Sequence, residues 1–390
     1  MKKISITLFV FCACVSTVRA QDIKIFNQDV QVHGFASQGF VSTDGNNWLT
    51  MKTGGIGSGQ FTDFGGNASI QVTDKFRIGA QIYDRNLGQL GKWHPQLDWA
   101  VASYKFKPWF GIRGGKVKTA LGLYNDTQDL DFLHPFALLP QSIYPTDLRD
   151  VTIAHVGGDV FGDVPMGEKG GTLSYTLYAG HRGDSPYGGY AYLIGKSFNR
   201  MGGLQYGGDL RWATPLKGLL VGVSRLNEDV SAHFGEGTPG ATTLKSKVAW
   251  TNQYYAQYTW KKLVVDSEYR HYFLDATVNG GPQFQTAVRG WYVAGSYQIA
   301  KHVQLGSYYS HYAIGVPDNF LIPSGNGFDH DKVVTARFDL NRFVNIKVEG
   351  HFMHGYGLPD DYPNGFYSVD NPQGLKPNTK ALVIKTSFKF

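Results

Sequence analysis

Apolar and polar side chains alternate with a period of two in segment after segment of this chain, up to its last residue. In the closing stretch Leu382, Ile384, Thr386, Phe388 and Phe390 fall on one side of an extended strand, and Val383, Lys385, Ser387 and Lys389 on the other. About sixteen such segments recur: 31–41, 66–73, 76–84, 97–106, 110–118, 151–160, 172–181, 204–213, 218–227, 248–260, 263–273, 288–299, 302–312, 332–340, 343–354 and 379–390. Their connections alternate in length. Thr73 to Lys75, Lys107 to Trp109, Ala213 to Lys217, Lys261-Lys262, Ala300-Lys301 and Asn341-Arg342 are short, and Phe161 to Gly171 is somewhat longer. The stretches 42–65, 85–96, 119–150, 182–203, 228–247, 274–287, 313–331 and 355–378 are long and rich in Gly, Asp, Asn and Pro. Tight turns at one end and long loops at the other predict an all-β fold: a transmembrane antiparallel β-barrel of about 16 strands.

The two faces can be read by parity. Phe76, Ile78, Ala80 and Ile82 oppose Arg77, Gln81 and Arg85; Leu204, Tyr206, Leu210 and Trp212 oppose Gln205, Asp209 and Arg211. Val334, Ala336, Phe338 and Leu340 oppose Thr335, Arg337 and Asp339; Val344, Ile346, Val348 and Phe352 oppose Asn345, Lys347, Glu349 and His351. Charges keep to one parity because a charge facing lipid near the bilayer midplane costs about 2–4 kcal/mol. The charged face is too polar to pack as a core, so it is expected to line water. Phe106, Trp109, Trp212, Trp260, Phe343 and Phe390 sit beside the short turns, as an interfacial girdle requires.

The N-terminus fits export. Lys2 and Lys3 precede an apolar run from Ile4 to Val18, and Val-Arg-Ala stands before Gln21. Residues 1–20 are expected to be a cleaved signal peptide and 21–390 the barrel, in a bacterial outer membrane with lipid and lipopolysaccharide around it. No later apolar run is long enough for a membrane helix. Cys12 and Cys14 both leave with the signal, which removes disulfide and thiol chemistry. So do Lys2, Lys3 and Arg19, which lowers the net charge from +6 to +3. With no Lys/Arg run, nucleic acid is not expected as a partner.

The stretch 119–150, TALGLYNDTQDLDFLHPFALLPQSIYPTDLRD, is too long for a simple turn, and its Phe, Leu and Tyr content argues against disorder. As the third long loop, it is expected to fold inward and narrow the pore. Its acids are Asp126, Asp129, Asp131, Asp147 and Asp150; the charged parity of the wall offers Arg77, Arg85, Arg113, Arg211, Arg270, Arg337 and Lys347. Acids against cations across a narrow gap would set a transverse field that orients solutes. Around 113–118 the parity does not resolve: either a Gly-rich bulge re-aims the strand, or Lys116 and Lys118 lie above the membrane.

RGGKVKTALGLYNDTQDLDF, from Arg113, resembles the stretch leading into the constriction loop of sixteen-stranded outer-membrane porins, particularly the phosphate-selective and dicarboxylate-type branch. The layout of signal, meander, third loop and terminal Phe is similar along the whole chain. The resemblance implies a homotrimeric passive channel for small hydrophilic solutes, with Arg113 on the wall and Asp126, Asp129 and Asp131 on the loop.

A barrel enzyme of phospholipase or protease type is the alternative. Ser142 and Ser310-His311 lack a nucleophile context, since adjacent Ser and His on one strand point to opposite faces. His271 with Asp275, and His330 between Asp329 and Asp331, are candidates by residue type only. Asp126, Asp129 and Asp131 lack the spacing of a calcium loop, and the twelve His show no zinc spacing, so no metal or other cofactor is expected. Tyr187, Tyr190 and Tyr192 are of a type that stacks sugars.

Overall fold

A computed structural model describes residues 23–25, 28–315, 327–357 and 365–390. The expected signal peptide lies outside the described residues. A three-residue strand, β1 (Ile23–Ile25), pairs with the start of β2. Sixteen strands then form the wall: β2 (Gln28–Thr43), β3 (Ser58–Thr73), β4 (Phe76–Leu87), β5 (Gln96–Lys107), β6 (Phe110–Lys118), β7 (Ala154–Pro165), β8 (Thr172–Gly183), β9 (Phe198–Ala213), β10 (Leu219–Phe234), β11 (Thr242–Trp260), β12 (Leu263–Val278), β13 (Gln283–Ala300), β14 (Val303–Gly315), β15 (Phe328–Asp339), β16 (Val344–Gly355) and β17 (Asn378–Lys389). Each pairs antiparallel with its sequence neighbours, and β17 pairs with β2, so the sheet closes on itself. At the seam the Phe390 N–H donates to the Gly34 carbonyl at 2.9 Å, and the Phe390 ring lies where a Cβ at Gly34 would stand.

The parity is that of a barrel in lipid. On β16 Val348 and Phe352 are exposed, while Lys347, Glu349 and His351 are buried; on β9 Leu204, Tyr206, Leu210 and Trp212 are exposed, while Gln205 and Asp209 are buried. Phe106, Trp109, Trp212, Trp260 and Phe390 are exposed beside the short turns. Among the described residues no helix is long and apolar enough to cross a membrane.

All sixteen expected strands are present, but several run further toward the long loops. β3 begins at Ser58 rather than near 66, and β10 continues to Phe234 rather than near 227. Apolar alternation marks only the lipid-contacting height, whereas pairing rests on main-chain hydrogen bonds that need no lipid face. For the same reason β7 runs to Pro165, opposite Thr172, and shortens the turn expected at 161–171. The third long connection spans 119–153, past the expected end at 150, because Arg149–Thr152 forms a helical turn, α1, before β7 starts.

The question left at 113–118 also has an answer. The β5–β6 register is continuous from Ser103 opposite Arg113 to Ala100 opposite Lys116, so no bulge lies there. The irregularity is one strand over: Gln81 faces Trp99 and Ile82 faces Leu97, which makes Asp98 the extra residue of a bulge. Asp98 is buried there.

Candidate functional site

The wall cations expected to face solute are mostly bonded to the main chain of 119–153. Arg85 donates to the Thr146 carbonyl (2.7 Å), Arg211 to Gly122 (3.0 Å), Arg270 to Ile143 (3.0 Å) and Arg337 to His134 (3.1 Å). Lys347, fully buried, donates to the carbonyls of Asp131 (2.5 Å) and Phe136 (3.0 Å). Five of the seven expected cations are thus tied to loop carbonyls. The other two are not: Arg77 donates to Ser69 (2.7 Å), and Arg113 pairs with Asp159 (2.8 Å) and stacks on Phe161.

The expected loop acids divide likewise. Asp131 ion-pairs with Lys347 (2.9 Å) and Lys385 (3.0 Å) and accepts from the Ser387 hydroxyl. Burial alone would raise its pKa; the two ammonium groups outweigh burial and hold it well below the usual carboxylate range. Asp129 pairs with Lys118 (2.6 Å) and Asp150 with Arg85 (3.3 Å). Asp147 forms no ion pair among the described residues; it accepts from the Tyr367 hydroxyl (2.9 Å), and burial, only partly offset by that bond and by the Arg85 charge, pushes its pKa up to about 6. Asp126 lines a cavity, and its carbonyl accepts from Lys118 (2.7 Å).

Two glutamates that sequence reasoning did not select hold the loop from well-separated strands. Glu268 on β12 accepts from the Leu123 N–H (3.0 Å) and the hydroxyls of Tyr144 (2.6 Å) and Tyr292 (2.8 Å). Glu349 on β16 accepts from the N–H groups of Ala137 (2.9 Å) and Leu138 (3.1 Å). Both lie on the charged parity, so extending that reading to every acid would have found them. Lys385 carries the same signal. Asp98, which pairs with Arg149 (2.8 Å) and accepts from Gln81 (2.9 Å), is masked in sequence by its bulge, and Arg149 by its place in α1.

Apolar packing accompanies these bonds. Phe136, Ile143 and Tyr144 cluster with Tyr292, Tyr308 and Val333. Ala137 and Leu138 cluster with Trp48, Leu49 and Phe366 from other long loops. The other side of the segment is open. A cavity of about 630 Å³ lies between its first residues and the wall of β4–β6, β8 and β9; Arg77, Arg113, Lys118, Asp126, Asp209 and Arg211 are its charged lining.

The residues weighed for enzymatic chemistry are placed otherwise. The Ser310 hydroxyl donates to that of Ser142 (2.8 Å), and His311 lies on the opposite face of its strand. His271 packs on Trp250, and Asp331 bonds His351 (2.7 Å) rather than His330. Among the described residues no three of His, Cys, Asp and Glu come together as metal ligands.

No protein-family description and no curated protein sequence matches the chain. Solved structures do. Outer-membrane expressed OmpT of Vibrio cholerae superposes with a TM-score of 0.59 at 12% identity, over 95% of this chain and 100% of that one. The anion-selective porin from Comamonas acidovorans gives 0.57 at 10% identity, over 93% and 100%. The outer membrane channel DcaP of Acinetobacter baumannii gives 0.56 at 12%, over 93% and 97%. The likeness is one of fold. It is that of a closed antiparallel barrel of sixteen strands.

Proposed function

We propose that this chain is an outer-membrane channel through which small hydrophilic, mostly charged solutes diffuse, and that 119–153 is folded into its bore as the constriction. One observation carries the reading. The segment bonds wall residues on β4, β9, β12, β15 and β16 at once, a reach that crosses the interior of a cylinder, yet a charged cavity remains on one side of it. The size limit follows from the loop. Selectivity follows from the groups that face the cavity, chiefly Arg77, Arg113 and Asp126; Arg211 lines it too while bonded to Gly122, and the remaining expected cations and acids are spent on anchoring. Phosphate or dicarboxylate preference has no support from a cation track, because most of that track holds loop carbonyls.

Self-association into a homotrimer would use the wall around the seam. There Gly34, Ala36, Gly66, Ala68 and Ala80 line a depression of about 580 Å³ flanked by Phe64 and Phe390. Purified protein in a planar bilayer tests the channel: stepwise ohmic conductance is expected, and protein that inserts without steps would sink the reading. A barrel enzyme predicts the reverse, turnover that a single His substitution abolishes.

A further inference from the structure

Histidines gather on one patch of the outer wall that the channel does not use. His311 on β14 is the direct cross-strand partner of His330 on β15, and His330 that of His354 on β16. All three share the outward parity near the long-loop ends of their strands. Their spacing in sequence gives no metal-binding signature, because His311 and His330 lie 19 residues apart and meet only through the register of the sheet.

Three donor atoms meet in this patch. The His311 and His330 Nδ1 atoms are 3.1 Å apart, and the Tyr309 hydroxyl lies 2.6 Å from the same His330 Nδ1. An imidazole nitrogen has one in-plane direction, filled by either a proton or a lone pair. Two partners therefore compete for one position at His330, and a contact between two Nδ1 atoms requires one of them to be unprotonated. An unprotonated imidazole nitrogen is the form that binds metal. Two nitrogens each about 2.0–2.1 Å from one ion stand about 2.9 Å apart at a right angle and about 3.4 Å apart at a tetrahedral one. The observed separation falls between these limits. The two rings are inclined by 31°, and the broad χ2 well of His lets both lone pairs turn toward one point.

The surroundings decide which ion. Asp329 and Asp331 flank His330 in sequence but are buried on the inner face. The outward neighbours are Trp291, 5.9 Å from His311 between ring centroids, Phe328, 5.0 Å from His330, and the exposed Lys332. Neutral nitrogens beside an ammonium offer little to Ca2+ or Mg2+, which need several oxygen ligands. Imidazole suits late first-row ions, with Cu2+ held more tightly than Ni2+ or Zn2+. His354 stands outside the set: its ring stacks 6.5 Å from that of His330, and its Nδ1 bonds the Asn378 amide oxygen (2.8 Å).

We propose that His311, His330 and Tyr309 form a surface site for a divalent late transition-metal ion. The two Nδ1 atoms are the principal ligands, the Tyr309 oxygen is a third donor, and water completes the shell. The proposal rests on the β14–β15 register and not on conduction.

The untagged protein, extracted from the membrane in detergent, tests it by calorimetric titration with CuCl2, NiCl2, ZnCl2 and CaCl2. One Cu2+ per chain is expected, with Ni2+ and Zn2+ weaker and Ca2+ not bound. The electron paramagnetic resonance spectrum of the Cu2+ complex should show coupling to two imidazole nitrogens. His311→Gln and His330→Gln should each weaken Cu2+ binding at least tenfold. His354→Gln and His271→Gln should leave it unchanged, and conductance should be unchanged in all four. A double variant, His311→Gln with His330→Gln, that holds Cu2+ as tightly as wild type would overturn the proposal. So would Ca2+ binding of equal strength, or a wild-type spectrum without nitrogen coupling. That spectrum needs no variant, so the test stands even where a substitution prevents folding.

Discussion

The two sides of the 119–153 segment use the same residue types for opposite ends. Toward β12–β17, Lys347, Lys385, Asp131, Glu268 and Glu349 are buried and bonded to one another or to the loop main chain. Toward β4–β6, Arg77, Arg113 and Asp126 face a cavity of about 630 Å³. Parity and charge assign all of these to the inner face and cannot separate the two groups. What separates them is whether a bonding partner in the 119–153 segment lies within hydrogen-bond reach; Arg113 pairs with Asp159 of the wall instead. In the proposed channel, anchored charges would fix where the pore is and the others would decide what passes.

The largest effect should come from the anchored side. Lys347→Met leaves Asp131 with one of its two ammonium partners and strips the donor from two loop carbonyls. Removing one partner of a buried pair costs about 3–5 kcal/mol. Equilibrium unfolding in detergent should show that loss, and Lys347→Met with Asp131→Asn should recover part of it. If Lys347→Met unfolds like wild type, this ion pair is not an anchor.

Glu268→Leu comes next. It deletes the acceptor for the Leu123 N–H and for two tyrosine hydroxyls, each left unsatisfied at about 1–3 kcal/mol. Here the expected readout is local: faster proteolysis within 119–153 and noisier, larger conductance steps from an intact barrel. A uniform fall in barrel stability with unchanged steps would instead show the loop held elsewhere.

Much of this architecture was legible in the sequence and some was not, for physical reasons. The sixteen strands, their faces and the alternation of turns and loops follow from a period of two, which lipid enforces at every lipid-facing position. Strand ends were short by several residues because above the membrane nothing enforces the pattern, as at Ser58 and Phe234. The wall cations were found by parity, but their partners were not, since carbonyls such as Thr146 and Ile143 have no sequence signature. Asp98 escaped because one extra residue reverses parity.

Acidity distinguishes Asp147 from Asp131 on the same loop. Asp147 has a folded pKa of about 6, above its unfolded value near 3.8, so the fold binds its proton more tightly. Its contribution is complete below the unfolded value and is lost as pH rises through about 6. The size is up to about 3 kcal/mol. Asp131 runs the other way: its pKa is depressed, so its contribution holds at neutral pH and is lost only as pH falls below the usual carboxylate range. Asp147→Asn should therefore flatten the stability profile between about pH 4 and pH 6 and leave the acid limb in place. A profile unchanged by Asp147→Asn would show that this carboxyl does not titrate there.

The smallest change in stability should accompany the clearest change in selectivity. Arg77 lies at the cavity with only the Ser69 hydroxyl as its described partner, so Arg77→Gln removes a charge but no anchor. Substitutions away from buried partners usually stay within about 0.5 kcal/mol. Under a salt gradient the reversal potential should move toward cation preference, and Asp126→Asn should move it the opposite way. Arg270→Gln carries the same charge change on the anchored side, where the Ile143 carbonyl is its partner. It should cost stability and shift the reversal potential less than Arg77→Gln does. If the two arginines shift it equally, distance from the open cavity does not matter, and the division between holding charges and selecting charges fails.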